Sequence, residues 1–199
     1  MNLKKLLGAT LVMAATVAGL VGCGAKTAKY QQGIGSVISL AETNGALTQI
    51  NVTAVSAVFD ESGKVVSAYI DEVQIPVKVV DGKVAYNPTS KQVKDAGAKN
   101  VESKKELKER YGMENIGGAC TEDPKAVAKG CAGEWFEQAL LIEDFFVGKK
   151  VADAVAQPTF ERDASHTNVP ADGHELFGKV TMTIQDYNAA FVEAVSHSK

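Results

Sequence analysis

Cysteine and histidine are scarce in this chain, three of each, and tryptophan occurs once. No two cysteines stand at the C-x-x-C spacing of a redox dithiol, and none of His166, His174 and His197 lies at ligand spacing from a cysteine. Neither thiol redox catalysis nor a zinc centre is therefore expected. Long runs of one charge are missing too. With 21 basic against 24 acidic residues the formal net charge is −3, and no basic patch of the kind a phosphate backbone requires is concentrated anywhere. Nucleic acid is not an expected partner. Low-complexity tracts and the G-x-S-x-G nucleophile elbow are absent as well.

The one long apolar run stands at the beginning, in MNLKKLLGATLVMAATVAGLVGCG. Lys4 and Lys5 form a positive start, Leu6 to Leu20 carries no charge, and small residues precede Cys23. This is the pattern of a secretory signal peptide, too short and too rich in Ala and Gly for a membrane span of about 20 apolar residues. The alternative is an uncleaved helix with an incidental cysteine. Leu20-Val21-Gly22-Cys23 resembles the lipobox of bacterial lipoproteins, which implies a diacylglyceryl group on the Cys23 thiol and cleavage just before it. At about 0.8 kcal/mol per buried CH2, several acyl chains make a stable anchor in the lipid bilayer. The expected organisation is a signal peptide over 1–22, a lipidated tether over 23–33 and a single domain over 34–199, working outside the cytoplasmic membrane. Loss of a leader with two lysines and no acid takes the net charge from −3 to −5 and leaves 177 of 199 residues, enough for one sizeable core.

Cys120 and Cys131 remain after the leader. In an exported chain such a pair reads as a disulfide closing a short loop, with two free thiols as the alternative. Chain entropy gives that loop about 2.8 kcal/mol of stabilisation.

The first half has strand character. Ile34 to Leu40, Gln49 to Phe59, KVVSAYID (64–71) and VQIPVKVV (73–80) are the expected strands, with turns at DESG (60–63) and Asp81-Gly82. These spacings predict an antiparallel meander, and Pro76 predicts an edge position for its strand. The middle is helical. Ser103 and Glu106 form a capping box with Gly112 as a stop, and Trp135, Ala139, Ile142 and Phe146 lie on one face of a second helix that ends at Gly148. That stripe is either core or a platform for a planar cofactor. GKVTMTI (178–184) alternates like a strand and leads into a last helix with Thr183 as cap and Tyr187, Phe191, Ala194 and Val195 inward. The fold class expected is α+β: a sheet meander with packed helices and a C-terminal strand-helix unit.

Thr181 and Thr183 are the first functional candidates. Two apart on a strand, their hydroxyls face one way, Lys179 shares that side, and the adjoining helix start offers free N–H groups for a phosphate. The alternative is a solvent-facing edge and an ordinary cap. Arg162-Asp163-Ala164-Ser165-His166 contains the residue types of a hydrolase triad, but side chains this close in sequence diverge rather than line up. A loop in which Asp163 and Ser165 bond their own backbone and Arg162 pairs an acid is the better reading, with ligand contact as a further role.

Three segments carry a family resemblance. ESGKVVSAYID (61–71), FFVGKKVADAV (145–155) and Glu175 to Thr183 resemble, in order, motifs of the FMN-binding domain of membrane quinone reductases and exported electron-transfer lipoproteins. KKELKERYGM (104–113), EWFEQ (134–138) and RDASH (162–166) are similar to segments of a group of small bacterial lipoproteins. The resemblance spans most of residues 34–195. It implies FMN as cofactor, electron transfer with a membrane redox partner, and a phosphate site at Gly178, Lys179, Thr181 and Thr183, with Trp135 or Tyr187 near the ring. In flavinylated members a threonine matching Thr181 carries the FMN as a phosphoester. Here Gly178, Lys179 and Val180 replace the family's Ser, Gly and Ala, so non-covalent binding is the expectation. A redox carrier or binding protein is expected more than a stand-alone enzyme. The other reading is a surface ligand-binding or interaction lipoprotein that keeps the fold without a flavin.

Overall fold

Two Asx-Gly pairs set the register of the sheet. Asn44-Gly45 and Asp81-Gly82 have φ values of 52, 75, 50 and 70°, the two-residue hairpin loops whose twist matches that of the strands they join. The computed structural model describes residues 29–87, 101–113 and 133–199. Cys23, Cys120 and Cys131, with the expected leader, lipidation site and disulfide, lie outside the described residues. Strands β1 (Tyr30–Thr43), β2 (Ala46–Asp60), β3 (Val65–Val80) and β4 (Lys83–Tyr86) form one antiparallel sheet in the order β1-β2-β3-β4. With the helices packed on it, this is the α+β meander expected from the sequence.

β1 starts at Tyr30, inside the segment expected to be tether. The last helix, α4 (Gln185–Ser196), crosses β1 at Gly33, expected in the tether, and at Gly35, expected in the first strand. A Cβ on Gly33 would stand 1.8 Å from the Ala194 carbonyl oxygen, and one on Gly35 1.9 Å from that of Ala190. The two segments expected as separate strands around Glu72 are one strand, β3, and Pro76 is not at an edge. It sits at the handover, paired with Gln49 of β2 just before Val77 pairs with Tyr86 of β4. Its missing N–H falls at the end of a ladder, while its carbonyl accepts from Asn87.

Helix α1 (Lys104–Leu107) continues as a 3-10 turn over 108–111. Helices α2 (Trp135–Phe146) and α3 (Val151–Val155) and the short pair β5 (Thr159–Phe160) and β6 (Val169–Pro170) precede α4. The capping box of Ser103 and Glu106 forms as expected, and Gly112 and Gly148 both take positive φ. Trp135, Ala139, Ile142 and Phe146 are buried against the sheet, and Phe146 stacks on Phe191 of α4 with ring centroids 3.7 Å apart. Full burial of a side chain such as Ile142 or Phe146 contributes about 1.5–3 kcal/mol. Among the described residues no helix is long and apolar enough to cross a membrane.

GKVTMTI is not a strand. Val180, Thr181, Met182 and Ile184 are all buried and Thr183 is half-buried, so beyond the exposed Lys179 the run has no exposed face. Its backbone bonds to loops and side chains, with Ile184 N–H on the Asn168 carbonyl and Thr181 N–H on Gln138, in place of a ladder. α4 then starts at Gln185 without a side-chain cap, so Thr183 does not cap it. On α4, Ala190 turns inward and Val195 outward, the reverse of the expected position of Val195.

Candidate functional site

Period-two alternation puts Ile70, Glu72 and Gln74 on the covered side of β3. Glu72 is only 7% exposed, and a buried carboxylate needs partners. They come from three directions. The capping box holds the single turn of α1 so that Lys104 enters the groove, placing its Nζ 2.8 Å from Glu72 Oε1. From α4 the Tyr187 hydroxyl donates to Glu72 Oε2 at 2.5 Å and accepts from Trp135 Nε1 at 3.0 Å. Gln74 Nε2 reaches Glu72 Oε1 at 3.4 Å and its own oxygen accepts from the Tyr111 hydroxyl at 3.1 Å. Burial first, then the neighbouring Glu72 charge, pushes the Tyr187 phenol well above its ordinary range, so it remains a proton donor.

The opposite wall is built around Thr181. Gln138 of α2 accepts from the Thr181 N–H at 2.9 Å, lies 3.4 Å from its hydroxyl, and donates to the Gly133 carbonyl at 3.0 Å. Arg162 donates to the Thr181 carbonyl at 2.7 Å. The hydroxyl of Thr183 is shielded from solvent and has no hydrogen-bond partner among the described residues. Asp163 accepts from the Ser165 N–H at 2.9 Å and pairs with Arg162 Nε at 3.2 Å, with His166 Nδ1 at 2.7 Å. The His166 hydrogen bond, ahead of these other contacts, holds its carboxyl down to about 2.

Between the walls lies a cavity of about 490 Å³. Of the residues expected at a site, Thr181, Thr183, Trp135 and Tyr187 line it, as do Arg162, Ser165 and His166. Gly178 and Lys179 do not. They belong to a turn in which the Lys179 N–H bonds the Leu176 carbonyl, so no strand alternation carries Lys179 to the threonines' side. The RDASH segment is a self-bonded loop in which Asp163 accepts a backbone N–H and Arg162 pairs an acid, as expected, while the bond expected from the Ser165 side chain to its own backbone is not among those formed by the described residues. Asp163 and His166 pair, but among the described residues no hydrogen bond joins Ser165 Oγ to His166.

The chain is similar to a reductase. It is 32% identical over 197 residues to a chlorophenol reductase of Desulfitobacterium hafniense, an alignment covering 84% of this chain and 56% of that protein. The chain thus spans about half the length of the curated relative it matches. No family model matches the chain, and no solved structure matches it.

Sequence reasoning missed Glu72, Gln74, Tyr111 and Gln138 as wall residues, and took Lys104 only as part of a capping box and of the KKELKERYGM segment. One signal for Glu72 was available: an acid two residues after Ile70 and two before Gln74 falls in the inward register of a strand.

Proposed function

We propose that this chain is an extracytoplasmic electron carrier, anchored to the cell membrane through lipid on Cys23, that holds FMN non-covalently in the cavity beside Thr181. The observation that carries this reading is the Thr183 hydroxyl, shielded and unpartnered in the wall of a 490 Å³ cavity. A buried hydroxyl without a partner is costly, and a phosphate oxygen is an acceptor that would relieve it. The volume falls in the range of cofactor sites, about 300–1,000 Å³. Arg162 adds positive charge on the same wall, Asp186 opposes it, and Trp135 and Tyr187 provide aromatic surface further in. Similarity to a protein named as a reductase supports a redox role.

Bound FMN would supply the electron chemistry, while the chain positions it and excludes water. Non-covalent binding is supported by Thr181 itself. Its side chain is buried, the residue only 3% exposed, and its hydroxyl faces Gln138, where a modifying enzyme has little access. Electrons would pass from a membrane donor to an acceptor outside the membrane.

Trp135 is the single tryptophan and lines the cavity, so it reports occupancy. Titration of the full chain in detergent with FMN is expected to quench its fluorescence saturably, with Thr183→Val weakening binding about tenfold. Fluorescence unchanged by FMN, beyond the inner-filter effect, would overturn the reading. A second reading, an interaction lipoprotein without flavin, is favoured by the outer side of β1, where Ile38 and Leu40 are 69% and 63% exposed. It predicts no quenching and an association that Ile38→Lys abolishes.

A further inference from the structure

The flavin reading uses the threonine wall and leaves the opposite wall unexplained. There Lys104 and Glu72 form an ion pair with side chains only 7% and 9% exposed. Such a pair does not earn its place by stability alone, because apolar residues of the same volume often serve a core equally well. Its surroundings are specific. Among the described residues Glu72 is the only acceptor that the Lys104 ammonium reaches, and the ammonium otherwise lies over two rings, 4.9 Å from the centroid of Tyr111 and 5.4 Å from that of Trp135. An ammonium has three donors. Lys104 and both of these aromatic residues line the cavity, so its remaining hydrogen-bonding capacity lies at the cavity's aromatic end. The neighbouring residue provides a contrast: Lys105 pairs with Glu143 and lies over Tyr69, outside the cavity lining.

We infer that Lys104 is the charge that sets the reduction potential of the redox group in this cavity, with Glu72 as the counter-charge that limits the effect. The inference rests on the flavin reading above. Reduction of FMN near neutral pH adds two electrons and one proton to the ring system, leaving one negative charge on it, and no bond to the protein forms or breaks. A fixed ammonium in a low-dielectric wall favours that charged product over the neutral oxidised ring, and a carboxylate disfavours it. Glu72 is kept from cancelling the ammonium fully because its second oxygen is occupied by the Tyr187 hydroxyl at 2.5 Å. Lys104 is thus a positioning and tuning residue and takes no electron itself.

The test is a dithionite titration of the FMN-loaded full chain in detergent, against a reference dye, with dithionite oxidised to sulfite as the flavin is reduced. Lys104→Met is expected to cost about tenfold in the preference for reduced over oxidised FMN, which lowers the midpoint potential by about 30 mV. Glu72→Gln, which keeps the shape, is expected to raise it. Lys105→Met is expected to move it least of the three. Shifts of Lys104→Met and Glu72→Gln in the same direction, or no shift in either, overturn the inference while leaving the flavin reading intact. If Lys104→Met does not fold, Glu72→Gln decides alone: a raised potential supports the inference and an unchanged or lowered one overturns it. A wild-type chain that retains no FMN overturns the flavin reading and this inference with it.

Discussion

The Tyr187 hydroxyl donates to Glu72 Oε2 at 2.5 Å across 115 residues of chain, tying the last helix to the middle of the third strand. Removing it leaves two buried groups short of a partner, the Trp135 Nε1–H and one carboxylate oxygen. At about 1–3 kcal/mol for each unsatisfied group, Tyr187→Phe is expected to destabilise the fold by about 2–4 kcal/mol in urea unfolding. A loss well under 1 kcal/mol would mean that water replaces the hydroxyl and that this end of the cavity is open.

The crossing of α4 over β1 gives a second test. Gly33→Ala and Gly35→Ala place a methyl group against backbone carbonyls at under 2 Å, which neither element can relieve without moving. Each is expected to cost about 3 kcal/mol or more, read as the denaturant midpoint. Gly45→Ala meets nothing within 4 Å, but its φ of +75° disfavours a side chain, so a loss of about 1 kcal/mol is expected there.

His174 makes stability depend on pH. Burial holds its imidazole below the ordinary 6.5, with Lys149 adding to the effect and Glu175 opposing it. Its Nδ1 accepts the Leu176 N–H at 3.0 Å and its ring lies 5.0 Å from that of Phe145, so the neutral form is the one that fits. The unfolded chain binds the proton more readily than the folded one. The contribution is therefore complete above pH 6.5 and is lost as the pH falls through the lower folded value. Thermal unfolding between pH 8 and pH 5 is expected to show this fall, and His174→Asn to flatten it.

On the threonine wall, stability and binding are expected to separate. Thr183→Val removes a hydroxyl that bonds nothing among the described residues, so the fold is expected to stay as stable or to gain up to about 1 kcal/mol. FMN retention is expected to fall in the same variant. Asp186→Asn is expected to act oppositely on binding, because a carboxylate facing the cavity repels a phosphate. Binding constants from fluorescence, paired with urea midpoints, check both.

Local signals in the sequence were the reliable ones. The cap at Ser103, the stops at Gly112 and Gly148 and the buried face from Trp135 to Phe146 follow from neighbours within one helix, and all four form. Signals whose meaning depends on a distant partner misled. Gly33 reads as tether until α4 is laid across it, and Glu72 reads as a break between two strands until Lys104 and Tyr187 arrive to satisfy the acid. The alternation in GKVTMTI has the period of a half-buried strand, but Thr181 is buried along with Val180, Met182 and Ile184, and Lys179 alone of the other set is exposed. That difference brought Thr181 and Thr183 to the cavity wall and left Lys179 outside it. Glu72 and Gln138, which organise the two walls, belong to types usually found at the surface, and only their tertiary partners mark them.

The most direct test of the account is an absorbance spectrum, from about 350 to 500 nm where the flavin ring absorbs, of the full chain in detergent after incubation with FMN and gel filtration. The account predicts a flavin band that elutes with the protein, is released on denaturation because no ester holds it, and is diminished in Thr183→Val. A chain that elutes without any flavin band, even after incubation at high FMN concentration, would contradict it.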